Sequence, residues 1–206
     1  MNLGMVADGM TAIEHALPVA PLHADVRGFF AASQGVGGAG RGSAYTPTLL
    51  VAYGGLTGEH FFFQHENPVN NARLLRNHPK AALDARAWRT KMATQDGDWN
   101  HEQVARDAAA LAREGVLVTL GAHGQLQGLG VHWELWALAG PGAMSPMEAL
   151  RAATSGGAAY LGLDGELGTV SVGKLADLVV LDADPRTDIR NTARIAFVVK
   201  NGAIWE

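Results

Sequence analysis

The feature that most constrains the fold is a helix pattern followed at once by a short strand pattern. Asn100 and Gln103 stand at capping positions of a helix whose apolar residues recur at helical spacing as far as Gly115. The next segment, residues 116–120 (VLVTL), is short and nearly all apolar, which is typical of a strand buried on both faces of a parallel sheet. A helix coupled in this way to a buried strand predicts an α/β fold.

The composition excludes several classes of protein. A hydrophobic content of 48% with 17% charged residues is that of a globular chain, not a disordered one. The 16 Lys and Arg against 20 Asp and Glu form no basic stripe, which argues against nucleic-acid binding. No apolar run is long enough to span a bilayer, and residues 1–21 lack the features of a signal peptide, so the compartment is unknown. Without cysteine, thiolate metal sites and thiol nucleophiles are excluded.

The rest of the chain divides into an α/β part and an all-β tail. Before residue 163 the pattern predicts strands at 12–17 and 48–53, irregular chain at 54–71, and helices at 25–32, 71–76, 80–92 and from Ser145. After Gly165 it predicts strands at 169–172, 177–181 and 195–200, and a hairpin turn at Asn201 and Gly202. We therefore expect one unit at 1–163 and a small β segment at 164–206.

Two glycine-rich motifs do not fit their surroundings. Residues 35–40 (GVGGAG) match the dinucleotide-binding pattern, but a helix precedes them and no helix follows, so a flexible loop is the better interpretation. Residues 168–174 match a phosphate-binding loop until Leu175 replaces the Ser or Thr that holds magnesium, and a strand pattern follows where the loop needs a helix. Neither motif predicts a nucleotide site.

His15 and His123 are the candidate functional histidines. His15 closes an apolar strand pattern, and His123 lies in the turn after residues 116–120. The carboxyl ends of parallel barrel strands are where catalytic groups converge. Two imidazoles there can hold a metal or act as an acid–base pair, and the alternative is that each binds a neighbouring loop.

The other histidines are expected to have no catalytic role. His132 and Glu134 are interpreted as a solvated helix edge. Four further histidines lie in polar, irregular stretches or at helix ends, which favours a surface position: His60, His65, His78 and His101.

A series of motifs in the C-terminal third resembles the closing signature of the amidohydrolase superfamily. The series comprises residues 145–154 (SPMEALRAAT), 159–162 (AYLG) and 173–182 (GKLADLVVLD). Three earlier segments resemble the sixth, seventh and eighth barrel strands of that superfamily: 13–15 (IEH), 46–49 (TPTL) and 118–123 (VTLGAH). Residues 121–134 resemble a branch that is often fused to a TolB-like propeller.

The resemblance implies a partial (β/α)8 TIM barrel of about three strand–helix units, followed by a small β segment. It implies metal-dependent hydrolysis of an amide-type C–N bond in a small molecule, of the imidazolonepropionase, cyclic amidase or Xaa-Pro dipeptidase type. His15 would be a metal ligand, with zinc the expected metal. His123 stands where the superfamily usually has an Asp that binds metal and takes a proton. His123 would therefore either bind metal or accept the proton.

The resemblance also predicts an incomplete site. The family's HxH pair on strand one, its bridging carboxylated Lys or Glu on strand four and its strand-five His have no counterpart here. We therefore expect a fragment that binds metal weakly or not at all and is inactive alone. Because its sheet edges are exposed, we expect it to pair with a missing N-terminal half or to form a homo-oligomer. The alternative is a non-catalytic, degenerate module with a binding or assembly role.

Overall fold

The computed structural model describes residues 2–33, 43–52, 58–86, 95 and 97–205. Its α-helices are α1 Asn2–Ala7, α2 Ala24–Ala32, α3 Gly58–Glu66, α4 Ala72–Asn77, α5 Lys80–Arg86, α6 Asn100–Arg113, α7 Gly130–Leu138, α8 Pro146–Arg151 and α9 Gly157–Tyr160. The predicted loop at 35–42 and the end of the helix predicted at 80–92 lie outside the described residues.

Three segments run parallel, side by side. β1 (Ala12–Glu14) pairs with β2 (Ala44–Thr46) in parallel, and Ile13 lies opposite Tyr45. On the other side of β2, the Tyr45 amide donates to the Leu117 carbonyl at 2.9 Å. The Tyr45 carbonyl accepts from the Thr119 amide at 3.0 Å. The segment predicted as a strand at 116–120 is thus reduced to one parallel bridge, at Val118. This is the order that consecutive α/β units produce.

The strand predicted at 48–53 is wrong. The pairing residues come earlier, in β2, because Thr48 takes a left-handed conformation (φ 52°) that ends the extended chain. A single 3-10 turn, Leu49–Val51, follows it, and Leu49 and Leu50 are fully buried. A short apolar run shows that a segment is buried but does not distinguish a strand from a helical turn.

The segment predicted to be irregular at 54–71 contains helix α3. Its side chains Phe62 and Phe63 are buried against Trp133 of α7, with the Phe62 and Trp133 rings stacked at 5.3 Å between centres. A run of three aromatics has no helical period in sequence, so only its packing reveals the helix.

Helices α6 and α8 agree with the sequence. The apolar face of α6 is buried at Val104, Ala108 and Leu111, although the residue at its N-cap is Trp99 rather than Asn100. In α8 the predicted capping box is present: the Ser145 hydroxyl accepts from the Glu148 amide, and the Glu148 carboxylate accepts from the Ser145 amide at 2.7 Å.

The two faces of the parallel segments differ in chemistry. Ile13, Tyr45 and Val118 are buried, and the Tyr45 ring contacts Phe30 of α2 with 6.2 Å between ring centres. Neighbouring residues of a strand point to opposite faces of the sheet. The residue that follows each of the three therefore points to the opposite face, away from the helices that pack on Tyr45. In each case this residue is polar: Glu14, Thr46 and Thr119.

The tail forms an antiparallel sheet in the order β3 (Leu178–Leu181), β4 (Ile195–Lys200) and β5 (Ala203–Trp205). The strands predicted near 177–181 and 195–200 are confirmed, with the hairpin between β4 and β5. The strand predicted at 169–172 is wrong: Val170 and Val172 are highly solvent-exposed, and left-handed glycines flank the segment. Among the described residues, no strand pairs with this segment.

Across the described parts of the chain, no helix combines the length and the apolar character that a membrane crossing requires.

Candidate functional site

The structure brings His15 and His123 together. Their imidazole rings lie 5.0 Å apart between centres at an interplanar angle of 68°. His15 directly follows β1, and His123 lies in the turn after the Val118 bridge, so each follows one of the outer two parallel segments. Both have left-handed backbone, with φ 68° at His15 and φ 56° at His123. That conformation is uncommon outside glycine and persists where the surrounding structure enforces it.

A hydrogen-bonded network joins the ends of the three parallel segments beside this pair. The Glu14 carboxylate accepts from the Thr46 hydroxyl at 3.3 Å and from the Tyr160 hydroxyl of α9. The Thr46 and Thr119 hydroxyls lie 2.7 Å apart. The hydrogen bond from Tyr160 to Glu14, together with burial, raises the pKa of the Tyr160 hydroxyl to about 12, so the phenol stays protonated and donates. We call Glu14, Thr46, Thr119 and Tyr160 the strand-end network.

The sequence alone predicts no role for these four residues. A signal was present in three of them, because each polar residue follows a buried apolar or aromatic residue at the end of a strand pattern. Tyr160 carried no such signal, since its contact with Glu14 spans 146 residues of sequence.

A glycine lets the loops of the site approach one another closely. A Cβ atom on Gly121 would lie 2.7 Å from the Thr46 methyl carbon and 3.5 Å from the Thr48 hydroxyl. Atoms at 2.7 Å overlap, so only a residue without a side chain fits there. The turn that leads to His123 is thereby packed directly onto the end of β2.

The geometry of the histidine pair fits two ligands of one tetrahedral metal. With Zn–N bonds of about 2.0–2.1 Å, two imidazoles at a tetrahedral angle have ring centres about 5 Å apart, as these do. A catalytic zinc takes about three protein ligands and a water. No group of three or more His, Cys, Asp or Glu side chains able to hold a metal occurs within the described ranges. The spacing of the two rings is thus compatible with two zinc ligands, and the described residues do not form a complete zinc site.

Glu134 is not at a solvated helix edge, and that interpretation is corrected. Its side chain is completely buried, and its two carboxylate oxygens accept from the Leu49 amide at 2.6 Å and the Leu50 amide at 3.0 Å. Burial raises the pKa of Glu134 to about 8, although both hydrogen bonds act in the opposite direction. His132 on the same helix is half-buried, and burial lowers its pKa.

His101 is not on the surface, so that prediction is wrong as well. It is 3% exposed, its Nδ1 atom has no hydrogen-bond partner within the described chain, and burial lowers its pKa to about 4. It lines a cavity of about 230 Å³ in the helix layer with Phe61, Phe62 and Trp136. That cavity includes neither His15 nor His123. His65 is exposed as predicted, and His60 and His78 are half-buried.

Comparison with known proteins identifies the family of this chain. The sequence model of the Amidohydrolase family matches residues 74–204, which is more than half of the chain. A 5-methylthioadenosine/S-adenosylhomocysteine deaminase of Syntrophobacter fumaroxidans is 55% identical over 42 residues, 20% of this chain and 10% of the relative. An imidazolonepropionase of Symbiobacterium thermophilum is 41% identical over 64 residues, 30% of this chain and 15% of the relative.

A solved structure extends the likeness to nearly the whole chain. The crystal structure of a Xaa-Pro dipeptidase superposes with a TM-score of 0.61 at 20% identity, covering 98% of this chain and 41% of the dipeptidase. At that identity the likeness concerns the fold. The chain thus spans well under two thirds of the length of each of these relatives. On the family match, the chain belongs to the amidohydrolase family.

Proposed function

We propose that this chain carries the C-terminal part of a metal-dependent hydrolase that cleaves an amide-type C–N bond in a small molecule. The observation that carries the proposal is the His15–His123 pair, with its rings 5.0 Å apart at the ends of parallel segments. Such ends are where catalytic groups meet in (β/α)8 barrels. Two of the relatives are named imidazolonepropionase and Xaa-Pro dipeptidase, so their substrates are the first to assay.

In this proposal His15 is a metal ligand, and His123 either holds the metal or accepts a proton from the attacking water. A divalent metal, zinc above all, supplies Lewis-acid polarisation of the scissile carbonyl and acidifies water when bound. The superfamily usually has a carboxylate at the position of His123, and an imidazole brings no negative charge there. The strand-end network holds Glu14, the chain neighbour of His15.

We further propose that the remaining ligands come from other barrel strands, which complete the partial barrel at residues 1–163. The match to 41% of the dipeptidase supports this, because the rest of that chain has no counterpart in the superposition. The chain that supplies those strands would also cover the β segment at 164–206. In support, Ile204 and Trp205 of β5 are each 65% exposed, an unusual position for large apolar side chains on a sheet edge.

Co-expression tests the proposal. The purified chain alone is expected to self-associate and to hydrolyse neither dipeptides nor cyclic amides with added zinc or manganese. Co-expression with the first five strand–helix units of a related prolidase is expected to give a one-to-one complex with zinc-dependent hydrolysis. His15→Ala in that complex should remove activity, whereas His65→Ala, on the exposed end of α3, should not. Robust turnover by the isolated chain would contradict the incomplete site.

A second candidate is a non-catalytic module with a binding or assembly role. The observation that favours it is His123 itself, which replaces the acidic residue expected from the superfamily. A well-formed complex that retains zinc but hydrolyses no C–N substrate would favour this module over the hydrolase.

A further inference from the structure

Two buried carboxylates support the loops that flank the histidine pair. From α7, Glu134 reaches the 3-10 turn that follows β2 and accepts from the Leu49 and Leu50 amides, 85 and 84 residues away in sequence. These are the first two N–H groups of the turn, which have no partner within the turn itself. Glu134 therefore caps the turn with both oxygens and holds it against α7.

The second carboxylate supports the loop that presents His123. Glu59, near the start of α3, is 3% exposed, and it accepts from the Gln125 side-chain amide at 2.7 Å. Gln125 lies two residues after His123. Between them, Glu59 and Glu134 fasten α3 and α7 to the two loops that meet at Gly121.

The loop at 121–129 needs such support because its backbone is strained. His123 and Leu126 are both left-handed without being glycine, with φ 56° and φ 46°, and Leu126 is buried. Such residues are strained and persist only where their surroundings over-determine them. Two of the contacts around this loop are the Gln125–Glu59 hydrogen bond and the close approach of Gly121 to Thr46 and Thr48.

We infer that Glu59 and Glu134 are positioning residues, which hold the loops after β2 and before α7 so that His123 faces His15. They act through the Leu49 and Leu50 amides and through the Gln125 side chain. Only the expected change in metal affinity rests on the proposed function. The orientation of His123 can be measured without any metal.

Glu134→Gln is the sharpest perturbation. A carboxyl group, ionised or protonated, accepts from both amides, whereas the amide group of the variant turns an N–H toward one of them. Gln125→Ala is the second variant, because it removes the Glu59 link from a half-buried position and leaves the core intact. Asp107→Asn is the matched control: it alters a buried carboxylate on α6 that accepts from the Gln103 side-chain amide at 3.1 Å.

The readout is the imidazole 1H–13C spectrum of histidine-labelled chain, without metal and then with zinc. Glu134→Gln and Gln125→Ala are expected to shift and broaden the His123 signal and to weaken zinc binding about 10-fold to 100-fold, the usual cost of losing an outer support of a metal ligand. Asp107→Asn should do neither. An unshifted His123 signal in both variants would overturn the inference. If zinc has no effect on His123 in the co-expressed complex that supplies the remaining ligands, the proposed function fails while the spectral test of positioning still stands.

Discussion

The free energy of unfolding is expected to fall by about 2 kcal/mol as the pH rises from 6.5 to 8, because buried Glu134 resists ionisation. Its pKa is about 8 in the folded chain against an ordinary 4.5. Between those values the folded chain holds a proton that the unfolded chain has lost, so raising the pH favours unfolding. Each pH unit costs about 1.36 kcal/mol until the folded group ionises.

Below pH 6.5 the buried imidazole of His101 opposes this trend. Its pKa is about 4 in the folded chain against an ordinary 6.5, so here the unfolded chain holds the extra proton and stability rises with pH. His132, whose pKa burial also lowers, acts in the same sense. His101 and Glu134 therefore act in opposite directions from about pH 4.5 to 6.5, and above that range the fall due to Glu134 continues without the opposing contribution of His101.

Urea denaturation at several pH values from about 5 to about 8.5 separates these contributions. In Glu134→Gln, which has no proton to lose, stability should stay level between pH 6.5 and 8. In His101→Phe the fall should begin already near pH 4.5, because the opposing histidine is gone. A fall above pH 6.5 that survives in Glu134→Gln would show that another group causes it.

Gly130→Ala is expected to lower the free energy of unfolding by about 3 kcal/mol or more, the upper end of what overpacking costs. A Cβ atom at this first residue of α7 would lie 1.8 Å from the Gln125 carbonyl oxygen and 3.5 Å from a Leu50 methyl. The oxygen belongs to the backbone of the strained loop, so it cannot rotate away. The whole segment that carries His123 would have to move.

Gly28→Ala is the matched control for that substitution. Gly28 lies in α2, where an added Cβ would meet no atom within 4 Å. Alanine there should stabilise the helix by about 0.5–1 kcal/mol. Both variants can be measured by urea denaturation. If Gly130→Ala came within 1 kcal/mol of the unaltered chain, the close packing of the loop on α7 would be disproved.

The part of the site that the sequence predicts is the part that depends on local pattern. His15 and His123 each end a strand pattern, and such ends come together in a parallel arrangement, so their proximity follows from topology. Glu134 could not be placed in the same way. Its flanking residues are apolar on every side, and only the Leu49 and Leu50 amides, more than 80 residues distant, explain its burial.

The fold shows the same division between local and distant causes. Helix α6 carries its own apolar period and α8 its own capping box, and both lie where the sequence puts them. The error at 61–63 arose because packing on Trp133, not a local period, makes that segment helical. The error at 169–172 arose because alternating residues form a strand only beside a partner, and left-handed Gly168 and Gly173 bound this segment where it lies in solvent.

A zinc titration followed in the imidazole spectrum shows whether His15 and His123 are ligands of one metal. Their two signals are expected to shift together and to saturate at one zinc per chain. His23 and His65, which are both exposed, should keep their positions. Either His15→Ala or His123→Ala should abolish the shift of the remaining partner. If zinc shifts only other histidines, or shifts His15 and His123 independently of each other, the two are not ligands of one metal.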